Sequence, residues 1–340
     1  MSEQHFPGDV WQRAKAEDAN IDASVLEQLA QRLTQVSDNR PYRVLVVRHG
    51  LLVAEWQSGI AADVELSLAS AAKSVYSSVL GIAVAKGKLP SLQARVVDYY
   101  PEMMDVPDGL GPKPGRFAMP ENRAITFEQL ISNTSGYMKP GEEPGKVFHY
   151  QTFGMNLVTH ALASIYGLYS SGNPGNTPGF GELIDRYIRE PIGGSWRYDY
   201  MNFDHAPGAR IGIFGNYCAM HISARDMARL GLLWLNEGRW AGEKLVPAGY
   251  LARATKVAPP ILANCPDSEW KYGYAFWTNS EGVLWPNLPT SAYAAVGAGR
   301  QMISVFPDKD LVIVQGPAPY ETHHDAICLE LLESIHGACH

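Results

Sequence analysis

Ser70 and Lys73 stand three residues apart at the head of an apolar run, "LSLASAAKSVYSSVLGIAVAKGKLP", residues 66–90. If a helix begins near Ser70, positions i and i+3 share one face, so the lysine amine sits beside the serine hydroxyl. The helix N-terminus offers unpaired N–H groups and positive potential to charge developing on the serine. Ala71, Val75, Val79, Ile82, Ala83 and Val84 make the remainder of the helix small and apolar, which takes Lys73 into the core and disfavours its ammonium form. A serine nucleophile with a neutral amine beside it is one reading. A buried helix whose Ser70 merely caps its start is the other, and the stretch alone does not separate them. The S-x-x-K spacing recurs at Ser268 and Lys271, where it leads into an aromatic strand and is read as chance.

The elements that would position this pair follow from periodicity. Ile21, Val25, Leu29 and Leu33 give helical spacing over 21–36, and "YRVLVVRHGLLVAEWQSG" reads as a hairpin about His-Gly. The helix from 70 to 86 closes at Gly87, with Pro90 beyond. Helices are expected at 126–132, 152–166, 181–190 and 223–236, separated by Pro- and Gly-rich loops. After residue 270 strand patterns return in "KYGYAFWTN", "RQMISVFP" and "DLVIVQG", and a last helix fits 321–336. The fold class is therefore α/β of the α+β type: an antiparallel sheet built from both chain ends, flanked by helices, with an inserted, mostly helical subdomain. Residues 1–69 and 260–340 form the sheet subdomain and 70–259 the helical one, together a single catalytic domain.

Composition narrows the partners. A formal net charge of −7 over 340 residues gives no basic footprint for nucleic acid or an anionic membrane. No run is long and apolar enough to span a bilayer, and the opening residues lack the apolar core of a secretory signal, so a cytoplasmic location is expected. Cys218, Cys265, Cys328 and Cys339 are scattered and read as buried or free thiols. No cofactor or metal is called for: His323-His324 lacks ligand spacing.

A second stretch separates the two readings of Ser70. "EEPGKVFHYQTFGMNLVTHALASIYG", residues 142–167, combines a Pro-Gly turn, an aromatic approach, Tyr150 and an apolar helix. With residues 66–90 it resembles the serine β-lactamase and penicillin-binding-protein superfamily, above all the class C-like branch that includes carboxylesterases and 6-aminohexanoate-dimer hydrolase. Further segments agree in order: "ITFEQLISNTSGY" is similar to the family's "LLSHTSG", "SARDMARLGLLWLNEGRW" to its "ARDLARFG" helix, "YGYAFW" to its aromatic strand and "GAGRQMISVFPDKDLVIV" to its closing strand pair. The resemblance covers roughly residues 40–335.

The resemblance implies a β-lactamase/transpeptidase-like fold and assigns roles. Ser70 would be the nucleophile, and Lys73 would take its proton or support a deprotonated Tyr150, which relays a proton to the leaving group. The oxyanion would be held by the amides of Ser70 and, from the third motif, Ala298. Three departures bear on substrate. The second motif is Tyr150-Gln151-Thr152, with Thr152 where asparagine is usual. The place of K-T-G is taken by Ala295-Val296-Gly297-Ala298, and Arg300 stands where a glycine is usual. Loss of the lysine removes a cation suited to the carboxylate of β-lactams, while Arg300 offers a replacement. A serine hydrolase of small esters or amides is implied, with a β-lactamase or D-aminopeptidase and a non-catalytic binding protein as alternatives. Its partner is a small ester, amide or lactam.

Residues 191–220, dense in Tyr, Trp, Asp and His, occupy the region that often walls the family's cleft. Tyr198, Tyr200, Asp204 and Tyr217 are candidates for substrate contact or for packing a long loop; Trp285 and Tyr137 are further candidates of the same kind. Other patterns are set aside. "SDN" at 37–39 reads as a helix cap, "GGSWR" at 193–197 fails as a nucleophile elbow, and His221 with Asp226 is read as structural.

Overall fold

Alternation along the central strands decides the architecture. In β1 (Tyr42–Arg48), Tyr42, Val44 and Val46 enter one core while Leu45 and Val47 enter another. The same split divides Leu311 and Ile313 from Val312 and Val314 in β11 (Leu311–Gln315). A strand buried on both faces must be covered on both. The structure, a computed structural model, describes residues 4–170, 178–201, 217–320 and 326–340.

In chain order, α1 (Ala23–Ser37) is followed by β1 and β2 (Leu51–Ser58), which turn at His49 and Gly50. Both turn residues have positive φ, 54° and 75°, as a type I′ hairpin requires. Next come β3 (Leu66–Ser67), α2 (Ala72–Ala85), α3 (Phe127–Ile131) and α4 (Thr152–Ile165). Then follow α5 (Gly181–Ile184), β4 (Trp196–Met201), β5 (Tyr217–Ile222) and α6 (Ala224–Leu235). The short hairpin β6 (Arg239–Trp240) and β7 (Glu243–Lys244) leads to α7 (Ala248–Ala254) and α8 (Pro259–Asn264). Strands β8 (Trp277–Thr278), β9 (Tyr293–Gly297), β10 (Gln301–Phe306) and β11 precede α9 (Ala326–Gly337).

The main sheet runs β2-β1-β11-β10-β9-β8, antiparallel throughout, so strands from both chain ends pair as expected. Helices α1 and α9 cover one face and are joined by the Arg32–Glu330 ion pair. Helix α6 covers the other: an added Cβ on Gly231 would lie 2.5 Å from Val312 and 2.9 Å from Ile303.

Helix α6, from within the block 70–259, packs directly on the sheet; its amphipathic stripe needs an apolar partner, and the strand face supplies one. Several expectations are corrected here. The segment read as a loop over 191–220 contains β4 and β5, which join β3 in a second small sheet. The strand expected through 270–279 is reduced to Trp277–Thr278, since residues before it turn to bond Ala254 and Ile131. Helix α5 continues as a π-helical turn, Asp185–Arg189, and two further short helices, α7 and α8, start just after Pro247 and at Pro259, where a fixed φ suits the first turn. None of the four cysteines is in a disulfide. Among the described residues no helix is long and apolar enough to cross a membrane. His323-His324 lies outside the described residues.

Because the added methyl at Gly231 meets two branched side chains of the sheet, Gly231→Ala should lower unfolding free energy by about 1–3 kcal/mol. Urea denaturation with an unchanged m-value would check this.

Candidate active site

Ser70 does not cap its helix. It sits inside a 3-10 turn, Ala69–Ala71, that runs into α2, and Leu68 holds the N-cap place without a side-chain bond. Ala69, just before it, has φ 49°, in the left-handed region that a residue with a Cβ adopts at some cost. The turn is fixed from outside: the Leu68 amide donates to the Met220 carbonyl in β5 at 2.8 Å. Freed from capping, the Ser70 hydroxyl accepts a hydrogen bond from Lys73 Nζ at 2.5 Å.

Lys73 is 1% exposed, because from Ala72 to Ala83 every residue of α2 is buried. Burial pushes its amine down from the usual lysine range to about 7. The Tyr150 ring faces Nζ at 5.0 Å, an arrangement that favours the ammonium. That contact is worth about 0.5–2 kcal/mol, whereas the shift to about 7 corresponds to roughly 5 kcal/mol against the charge. Desolvation wins. Near neutral pH a large share of Lys73 is therefore a neutral amine touching a hydroxyl.

Tyr150 lies just before α4 and completes the cluster, its hydroxyl bonded to Ser70. Burial raises its pKa and the Ser70 bond opposes that rise, so the phenol stays protonated at neutral pH. Aromatic rings frame it: Tyr272 stands edge-on at 5.7 Å and 90°, Trp277 is tilted at 5.7 Å, and Phe148 packs on Tyr272 at 5.3 Å. The sequence had marked "YGYAFW" as a strand; its Tyr272 and Trp277 form the wall around Tyr150 instead. Asn133, also unassigned from sequence, accepts the amides on both sides of Tyr150.

The third motif arrives on β9. An added Cβ on Gly297 would lie 2.4 Å from the Leu68 carbonyl, 2.9 Å from the Ala71 nitrogen and 3.0 Å from the Ser70 nitrogen. Only a residue without a side chain lets the strand approach the serine turn so closely. Ala298, Gly299 and Arg300 make the exposed turn into β10, with Gly297 and Gln301 paired across its base. The Arg300 carbonyl accepts from Ala318, while its Nη1 is buried with no hydrogen-bond partner among the described residues.

The structure thus brings together Ser70, Lys73, Tyr150 and Gly297, with Ala298 next in chain and Thr152 at the first turn of α4. Other candidates are committed elsewhere. Trp285 is 1% exposed in the core between the sheet and α1/α9, ring-stacked with Phe306, so it is not a cleft residue. Tyr137 is buried and donates to the Met103 carbonyl. Tyr198 donates to Asp185 at 2.5 Å and accepts from Trp196, and Tyr200, 43% exposed, bridges Gly181 and the Pro178 carbonyl. Both pack the small sheet onto α5. Asp204 lies outside the described residues, and Tyr217 begins β5. His221 pairs with Asp199, not Asp226, and Asp226 bonds Ser223 and Arg229, so these residues form no Ser-His-Asp relay. Ser268 is exposed on a 3-10 turn and Lys271 reaches Glu269, as a chance spacing would have it.

Comparison with known proteins bears on the family and the fold. The family described as Beta-lactamase matches residues 26–315. No curated protein matches the chain. Among solved structures, a penicillin-binding protein homologue from Caulobacter crescentus is 14% identical with a TM-score of 0.69, covering 97% of this chain and 99% of that one. A β-lactamase from Mycobacterium bovis is 18% identical with a TM-score of 0.61, covering 91% and 97%. EstCE1, described as a hydrolase with promiscuous acyltransferase activity, is 13% identical with a TM-score of 0.65, covering 95% and 99%. At such identities the likeness is one of fold.

Since the missing side chain of Gly297 admits β9 to the serine turn, Gly297→Ala should displace the strand. The expected cost is about 1–3 kcal/mol in chemical denaturation.

Proposed function

This chain belongs to the β-lactamase family, and we propose that it is a serine hydrolase acting on small esters or amides through an acyl-enzyme. The observation that carries the reading is the contact of Ser70 Oγ with Lys73, an amine brought to about 7 by burial. Ser70 attacks the substrate carbonyl as its proton passes to Lys73 Nζ. The tetrahedral oxyanion is held by the amides of Ser70 and Ala298, a role supported by the approach of β9 to the Ser70 turn. Tyr150 gives its proton to the departing oxygen or nitrogen and recovers one from the Lys73 ammonium. Water then attacks the acyl group by the same steps in reverse, releasing the acid and restoring Ser70. The opposed directions for Lys73 and Tyr150 favour Lys73 as the resting base and Tyr150 as the acid.

The absence of a K-T-G lysine supports neutral esters or amides over β-lactams. One observation favours the penicillin-recognising alternative: Arg300 sets a guanidinium at the turn after the third motif, its buried Nη1 without a hydrogen-bond partner among the described residues. Thr152 and Gly297 are the remaining substrate-side candidates.

Initial rates on a short-chain p-nitrophenyl ester, a linear amide dimer and a chromogenic cephalosporin distinguish these readings. Ester or amide turnover is expected, with little on the cephalosporin, and Ser70→Ala should abolish it. Dominant cephalosporin turnover would favour the alternative, and activity surviving in Ser70→Ala would contradict the mechanism. The base must be neutral to act, so kcat/KM should fall as pH drops through about 7 and level off above it.

A further inference from the structure

Asn133 touches the segment of Tyr150 from three sides. It follows α3 with φ 58° and is 2% exposed, so its polar groups must find partners inside the protein. Its carbonyl accepts the His149 amide at 2.9 Å, and its Oδ1 accepts the Gln151 amide at 3.0 Å. These are the residues immediately before and after Tyr150. Its Nδ2 donates to the hydroxyl of Tyr272 at 3.2 Å, and the Tyr272 ring stands edge-on against Tyr150. One residue therefore fixes the backbone on both sides of the phenol and the wall its ring leans on.

The residue type matters. Serving these contacts needs a short side chain with both an acceptor and a donor, on a backbone that tolerates positive φ; asparagine meets all three demands. The sequon that begins at Asn133 is moot, since the amide is buried and engaged.

We propose that Asn133 is a positioning residue for proton delivery by Tyr150, which rests on the serine-hydrolase reading. It holds the phenol between Ser70 and the leaving group. Its loss acts on the step in which the departing alcohol or amine is protonated, not on substrate binding or serine attack.

Leaving-group dependence tests this. A p-nitrophenolate departs without a proton, whereas an ethoxide must receive one. In Asn133→Ala the ratio of kcat/KM for the p-nitrophenyl ester to that for the ethyl ester of the same short-chain acid should widen about ten- to a hundredfold over wild type. Tyr150→Phe should widen it at least as much, and the double variant should add nothing to Tyr150→Phe. Tyr272→Phe, which removes only the Nδ2 partner, should widen it about threefold. A merely structural asparagine would lower both rates together and leave the ratio unchanged, which would overturn the proposal. If Asn133→Ala does not fold, an unchanged ratio in Tyr272→Phe overturns it instead. Wild type and Ser70→Ala measured alongside keep the two readings apart. Ser70-independent or absent turnover removes the hydrolase reading and this proposal with it. An unchanged ratio with Ser70-dependent turnover removes only the role of Asn133.

Discussion

Everything at this site depends on one desolvated amine. A lysine normally keeps its ammonium in water while its stem lies along apolar surface. Lys73 cannot, because it sits one turn into a helix that is buried along most of its length. The small sheet ties down the turn before it through Leu68 and Met220, the glycine of β9 presses on the other side, and Tyr76 in the next turn donates to the Cys218 carbonyl of β5. The helix has no freedom to tilt the amine outward. Its least costly arrangement is a neutral nitrogen hydrogen-bonded to the Ser70 hydroxyl. For the proposed chemistry, that resting state is already a base in contact with its nucleophile.

The same economy shapes the rest of the cleft. Burial raises the pKa of the phenol beside the amine, and its bond to Ser70 opposes that rise. Two groups with opposed titration behaviour thus occupy the two sides of Ser70, which is the arrangement that acid–base catalysis at neutral pH needs. The aromatic frame of Phe148, Tyr272 and Trp277 packs around the half-buried Tyr150 and leaves few rotamers to its ring. The third motif departs furthest from the family pattern, giving up the lysine while keeping the close glycine. The feature retained is the one that backbone approach to Ser70 requires.

Much of this was legible in the sequence where one physical demand dominates. The His49-Gly50 turn, the two-faced strands and the Ser70–Lys73 spacing each reflect a single strong constraint, and each is visible in a few residues. The composite around Tyr150 was legible only as a resemblance, because its meaning lies in contacts between α4, the segment after α3 and the residues before β8. Trp285 misled because an aromatic near a predicted cleft looks the same in sequence whether it faces the cleft or, as here, the opposite core. Strand β4 does alternate aromatic and charged residues, but Pro191, Gly193 and Gly194 just before it give the segment a loop-like composition. Tyr198 and Tyr200 turned out to use their hydroxyls within the small sheet and α5. Asn133 carried no signal of its own; its importance comes from three partners distant in sequence.

The central claim is that Ser70 becomes acylated with Lys73 as the base. Intact-protein mass spectrometry after rapid mixing with a p-nitrophenyl ester, followed by peptide mapping, tests it most directly. The account predicts one acyl mass on the Ser70 peptide, formed faster at pH 8 than at pH 6 and absent from Ser70→Ala. An acyl group on another residue, or none on Ser70 while the ester is still turned over, would contradict it.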